Sequence, residues 1–149
     1  MMWQGGILGW FVLFSLCSVC LDAEGISCPA DFHEVSGSCY WYSDTKASFK
    51  DATVQCRKMS SRLVVVASPE ETALLHSNIL LQGKADVYYI GARYQDNNRL
   101  WISDGNKPTT TPTTRSTTDL KCVVMRVQQR VRWYNADCND KIRFICQFQ

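Results

Sequence analysis

The stretch Cys122-Val123-Val124-Met125-Arg126-Val127-Gln128-Gln129-Arg130-Val131-Arg132-Trp133-Tyr134-Asn135-Ala136-Asp137-Cys138, closed by Arg143-Phe144-Ile145-Cys146-Gln147-Phe148, decides the fold. Its β-branched and apolar residues gather in Cys122–Val127 and in Arg130–Trp133, on either side of Gln128-Gln129. That pattern predicts two strands joined by a two-residue turn, and Arg143–Phe148 predicts a third. Three of the chain's eight cysteines lie in this stretch. Cysteines on neighbouring strands of a short chain are the mark of a disulfide-stapled sheet.

Upstream, the pattern changes period. Phe32 to Tyr42 is aromatic and broken by Ser36-Gly37-Ser38, which predicts a hairpin that Cys28 and Cys39 can clamp. Phe49, Ala52, Thr53, Cys56 and Met59 recur at three- and four-residue spacing among Lys46, Lys50, Asp51, Arg57 and Lys58. This predicts an amphipathic helix over Thr45–Met59 with Cys56 on its buried side. Leu63-Val64-Val65-Val66 reads as a short buried strand. Ser68-Pro69-Glu70-Glu71 then places serine at N-cap, proline at N1 and glutamate at N3, opening a second helix. This helix should turn Leu74, Leu75 and Ile79 inward and end near Leu81-Gln82-Gly83. Val87–Ala92 and Arg99–Ile102 read as strands around a polar turn containing Asp96-Asn97-Asn98. A hairpin, two helices and then strands broken by one long loop make an α+β domain with an antiparallel sheet.

The chain has 149 residues, 46% of them hydrophobic and 20% charged, with a formal net charge of +2. That length holds one globular domain, and that charge excludes bulk nucleic-acid binding. The apolar, uncharged run Ile7–Cys20 is short for a membrane span and suits the core of a secretory signal peptide, although no basic residue precedes it. Cleavage after Ala23 or Gly25 removes Cys17 and Cys20; the alternative is an uncleaved membrane anchor. A leader over 1–23 and a domain over 24–149 follow, secreted and without a membrane span after cleavage. Cys28, Cys39, Cys56, Cys122, Cys138 and Cys146 then form three disulfides, and spacing alone leaves fifteen pairings open.

Lys107–Thr118 is rich in Thr and Pro and carries no Asp or Glu. It reads as an exposed insertion, either O-glycosylated or unmodified. No Asn-x-Ser/Thr sequon occurs. No Cys-x-x-Cys motif occurs among the six cysteines, and His33 and His76 stand apart, so neither a zinc site nor a nucleophile–base pair can be assembled from motifs. The chain therefore reads as a binding protein, not an enzyme.

Taken together these residues resemble the C-type lectin-like domain in its long form, over about Cys28 to Phe148. Cys28 and Cys39 resemble the extra N-terminal pair of that form. Phe49, Ala52 and Cys56 resemble its first helix, and Tyr89-Ile90-Gly91-Ala92 is similar to the family's Trp-Ile-Gly-Leu. Trp101-Ile102-Ser103-Asp104-Gly105 resembles Trp-Ser-Asp-Gly. Trp133 five residues before Cys138, and Phe144-Ile145-Cys146, resemble the closing pattern. The resemblance implies two helices, antiparallel sheets, a long loop and the pairs Cys28–Cys39, Cys56–Cys146 and Cys122–Cys138. It also implies glycan recognition.

Sugar-binding members hold calcium with a Glu-Pro-Asn or Gln-Pro-Asp tripeptide and an Asn-Asp pair. Here the tripeptide position holds Lys107-Pro108-Thr109 or Thr111-Pro112-Thr113, and the Asn-Asp positions hold Tyr134 and Asn135. Leu120 and Lys121 stand where acidic residues precede the third core cysteine. Asp119, Asn135 and Asp137 are too few oxygen donors for an ion that takes six to eight. No metal or other cofactor is therefore expected, and Asn135 and Asp137 are expected to bond the turn before Cys138.

The last third of the chain concentrates Lys121, Arg126, Arg130, Arg132, Lys141 and Arg143 against Asp137 and Asp140. With a two-residue turn, Arg130 and Arg132 share one strand face. Guanidinium groups suit sulfate, phosphate and carboxylate. The ligand site is therefore assigned to Arg126, Arg130, Arg132, Tyr134, Asn135, Asp137 and Lys141, beside the long loop, with an anionic glycan as ligand. The alternatives are a solvated face on a protein-binding module, and an ordinary calcium-dependent lectin.

Overall fold

A computed structural model of the chain describes residues 25–95, 98–101 and 121–149. The expected leader over 1–23 and the Thr/Pro-rich stretch 107–118 lie outside the described residues. The chain opens with a hairpin, β1 (His33–Val35) and β2 (Ser38–Tyr42). Its two-residue turn puts Ser36 and Gly37 at φ 50° and 80°. Both values are positive, as the twist of a tight hairpin demands.

Helix α1 (Phe49–Lys58) is shorter than the spacing predicts. The reason lies at its start: Ser48 Oγ accepts from Asp51 N at 3.2 Å and so caps the helix there, while Ala47 is held in a β-bridge with Ile142. The predicted strand Leu63–Val66 is also displaced, to β3 (Ser61–Leu63). Val64 continues extended beyond it, donating to Ile145 O and accepting from Gly91 N.

Helix α2 (Pro69–Leu81) begins as its sequence predicts. Ser68 Oγ accepts from Glu71 N at 3.1 Å, and Glu71 Oε2 accepts from Ala67 N at 2.7 Å. It ends with Gly83 at φ 66°, where Gly83 N donates to Leu80 O and Lys84 N to Ile79 O. These two bonds are a Schellman motif. Leu75 and Ile79 are buried, but Leu74, predicted to point inward, faces solvent.

The remaining strands are β4 (Val87–Gln95), β5 (Asn98–Trp101), β6 (Cys122–Val127), β7 (Val131–Ala136) and β8 (Arg143–Phe148). Among the described residues the sheet runs β1-β2-β8-β4-β6-β7, with β3 beside β8 and β5 beside β4. The sheet is mixed, not purely antiparallel, because β4 and β8 run parallel, with Tyr88 and Tyr89 in register with Arg143 and Phe144. Alternation along β4 sends Tyr88 and Ile90 into the core beneath α2 and Tyr89 into the core beneath α1. Disulfides join Cys28–Cys39, Cys56–Cys146 and Cys122–Cys138, the pairing that the resemblance implies. Cys56–Cys146 spans 90 residues and stabilises most, by about 4–5 kcal/mol in the chain-entropy account.

Candidate functional site

The hairpin β6–β7 has two unlike ends. At one, Cys122 pairs with Ala136 and is bonded to Cys138. At the other, Val127 pairs with Val131, so the turn is Gln128-Gln129-Arg130 and not the predicted Gln128-Gln129. The extra residue moves Arg130 out of the strand and into the turn. The shared strand face expected for Arg130 and Arg132 is therefore replaced by a different pairing: Arg126 lies directly opposite Arg132.

Arg126 and Arg132 are both exposed, and the Arg126 guanidinium lies 4.9 Å from the centre of the Tyr134 ring. A cation over an aromatic face is attracted to the ring's negative centre. Arg126, Gln128, Gln129, Arg130, Arg132 and Tyr134 line a surface cleft of about 680 Å³. No acidic residue is among its described lining residues. Like charges directly across a strand pair oppose folding, so this arrangement costs stability that an anion in the cleft would offset. Its turn is tied to helix α2: His76 Nε2 lies 2.6 Å from Gln128 O, and because a carbonyl only accepts, Nε2 carries the proton.

The structure brings four of the seven predicted site residues together, Arg126, Arg130, Arg132 and Tyr134. Lys141 is not among them. It lies against Asp51 of α1, Nζ to Oδ2 3.5 Å. Arg143 is likewise drawn off, its Nε 2.9 Å from Asp86 Oδ2. Asn135 and Asp137 belong to the disulfide end of the hairpin and not to the cleft. Asp137 Oδ1 accepts from Asn139 N at 2.8 Å and so braces the turn around Cys138. Asn135 does not share that work: its Oδ1 and Nδ2 are buried without a hydrogen-bond partner among the described residues. Gln128, Gln129 and the His76 tether escaped the motif reading. His76 and Gln128 are 52 residues apart, and no local spacing announces such a contact.

The described donors fit calcium poorly. Asn135 offers one neutral amide oxygen without a partner among the described residues, Asp137 Oδ1 already accepts from Asn139 N, and no group of three His, Cys, Asp or Glu converges among the described residues. Asp119 lies outside the described residues. Among those described, no helix is long and apolar enough to cross a membrane.

Known proteins share this architecture. Abalone perlucin (Haliotis laevigata) is 31% identical over 80 residues, covering 54% of this chain and 52% of perlucin. Human lithostathine-1-alpha is 29% identical, covering 87% of this chain and 82% of its own. The chain spans about half of perlucin and 11% of the mouse secretory phospholipase A2 receptor, with which it is 26% identical. The crystal structure of human lithostathine superposes with a TM-score of 0.72 at 25% identity, over 90% of this chain and 99% of that one. The C-type lectin domain of murine dendritic cell inhibitory receptor 2, solved with an N-glycan, gives a TM-score of 0.71 at 24% identity, over 83% and 99%. The model of the lectin C-type domain matches residues 45–148. With that match and the fold built on Cys56–Cys146 and Cys122–Cys138, the chain belongs to the C-type lectin domain family, a family of carbohydrate-binding domains.

Proposed function

We propose that this domain is a secreted lectin that binds anionic glycans, without calcium, in the cleft at the β6–β7 turn. The observation that carries the reading is the set of three guanidinium-bearing residues and one aromatic ring around one cleft, with no acid among its described lining residues. Guanidinium forks grip sulfate and carboxylate groups, and the Tyr134 ring beneath Arg126 holds that guanidinium at the cleft. Secretion is supported by the apolar run Ile7–Cys20 and the three disulfides. Calcium independence is supported by the donor set described above.

Retention on a heparin-like sulfated matrix tests the reading. Wild type should be retained at low salt and released as salt rises, because exposed charges are screened within about 10 Å at 0.1 M. EDTA should leave retention unchanged, and millimolar calcium should leave the melting temperature unchanged. A native-state ligand at 100 times its Kd would add about 2.7 kcal/mol and a visible shift. Arg130→Ala with Arg132→Ala should elute early with a near-native melting temperature, since exposed charges contribute little to folding. Wild type that passes through unretained, or a double variant that elutes with it, removes the reading and puts a protein partner first. EDTA-sensitive retention restores an ordinary calcium-dependent lectin.

A further inference from the structure

Helix α2 is apolar on both sides. Leu75 and Ile79 face the core, yet Leu74, Leu80 and Leu81 are 45%, 41% and 84% exposed, with Ala73 and Ser77 exposed between them. At 3.6 residues per turn, Glu70, Ala73, Leu74, Ser77, Leu80 and Leu81 form one stripe on the solvent side. Large exposed leucines grouped on one helix face mark an interaction surface.

The order within the stripe identifies the partner. About Ser77 the stripe matches itself in reverse: Leu74 and Leu80 lie three residues away on either side, and Ala73 and Leu81 four; Lys84, as far beyond Ser77 in sequence as Glu70 is before it, follows the end of the helix. We propose that α2 is a homodimer surface in which two copies pack antiparallel with Ser77 on the two-fold axis. Leu74 then meets Leu80 of the second copy, small Ala73 receives large Leu81, and Glu70 faces Lys84. The two helix dipoles also oppose each other favourably. This self-complementarity is what an isologous interface requires. Lys84 holds Asp44 at 2.8 Å, and an ammonium with three N–H groups can serve a second carboxylate.

A helix of this length spans about 20 Å, and one helix pair buries less than the roughly 800 Å² per partner of a standard stable interface. The dimer therefore forms in a concentration-dependent way. Because His76 ties α2 to the β6–β7 turn, dimerisation also carries two basic clefts on one particle, a gain in avidity for a polymeric ligand.

Sedimentation of the glycan-free protein tests the dimer independently of the glycan reading. Over about 1 to 500 μM, the range that suits a contact of this size, wild type should pass from monomer to dimer. Leu81→Glu, at a site too exposed to matter for folding, should weaken association at least about 30-fold, because each dimer would carry the unpaired charge twice. Circular dichroism should be unchanged. An equimolar mixture of Glu70→Lys and Lys84→Glu chains should associate more tightly than either alone. Wild type that stays monomeric throughout overturns the proposal and leaves the stripe to a foreign partner. Leu81→Glu chains that dimerise like wild type, or a mixture no tighter than its components, also overturn it.

Discussion

The opposed pair Arg126 and Arg132 separates binding from stability at the level of single residues. Arg132→Glu turns a repulsive cross-strand pair into an attractive one, worth about 0.2–1 kcal/mol. The variant should melt slightly higher than wild type yet lose retention on a sulfated matrix. A fall in both would mean that Arg132 is held by packing and not by charge. Gly91 makes the opposite case, where stability alone is at stake. A Cβ there would lie 2.8 Å from Leu63 O and 3.0 Å from Val64 O, both backbone atoms with little room to yield. Gly91 N also donates to Val64 O at 2.8 Å, so β4 cannot simply move away. Gly91→Ala should cost about 1–3 kcal/mol in a denaturant titration, with the cleft's ligand affinity unchanged in the folded fraction. An unaffected midpoint would show that β3 and β4 separate more easily than this contact implies.

The elements divide into those with local instructions and those fixed by distant partners. The start of α2 was legible because Ser68, Pro69 and Glu71 each act on backbone within four residues. Ser68→Ala should cost about 1 kcal/mol. Glu71→Ala should cost more, because Glu71 Oε1 also accepts the Tyr40 hydroxyl at 2.7 Å and its loss strands that buried phenol. Equal losses in thermal melts of the two variants would disprove that second role. The start of α1 lies later than helical spacing predicts, because that spacing runs on through Thr45, whereas the bridge from Ala47 to Ile142 spans most of the chain. The β6–β7 turn departs from its local pattern for the same kind of reason. Its length follows from the register Cys122 to Ala136, which the sheet and the Cys122–Cys138 bond set from the far end of the hairpin. Charge excess marked the right strands, but it could not show that Lys141 and Arg143 are spent on Asp51 and Asp86. Nor could periodicity alone show that Leu74, predicted inward, belongs to the solvent face of α2.

At the scale of the whole molecule, four tyrosines join the two cores to the segments around them. The Tyr40 hydroxyl donates to Glu71 and that of Tyr42 to Asn78 Oδ1, tying β2 to α2. Tyr88 donates to the backbone carbonyl of Lys84, and Tyr89 to the carbonyls of Asp137 and Asp140. Burial is the main reason each phenol resists ionisation. It pushes Tyr88 up to about 12 and the other three higher still, with the Glu71 carboxylate adding to the effect at Tyr40. An unfolded tyrosine ionises near pH 10. Because the folded values are raised, the stability these groups contribute is fully present below about pH 10 and is lost as pH climbs towards 12 and beyond. The unfolded chain can release up to four more protons than the native one in that window, so stability should fall steeply there and not gradually. In a base titration, the phenolate absorbance of these four residues should appear together with the loss of near-ultraviolet circular dichroism, as one transition. Phenols that ionise around pH 10 while the circular dichroism signal persists would mean that the tyrosines are wetter than the packing of β2, β4 and α2 allows. The shared role of these hydroxyls as ties between elements would then have to be given up.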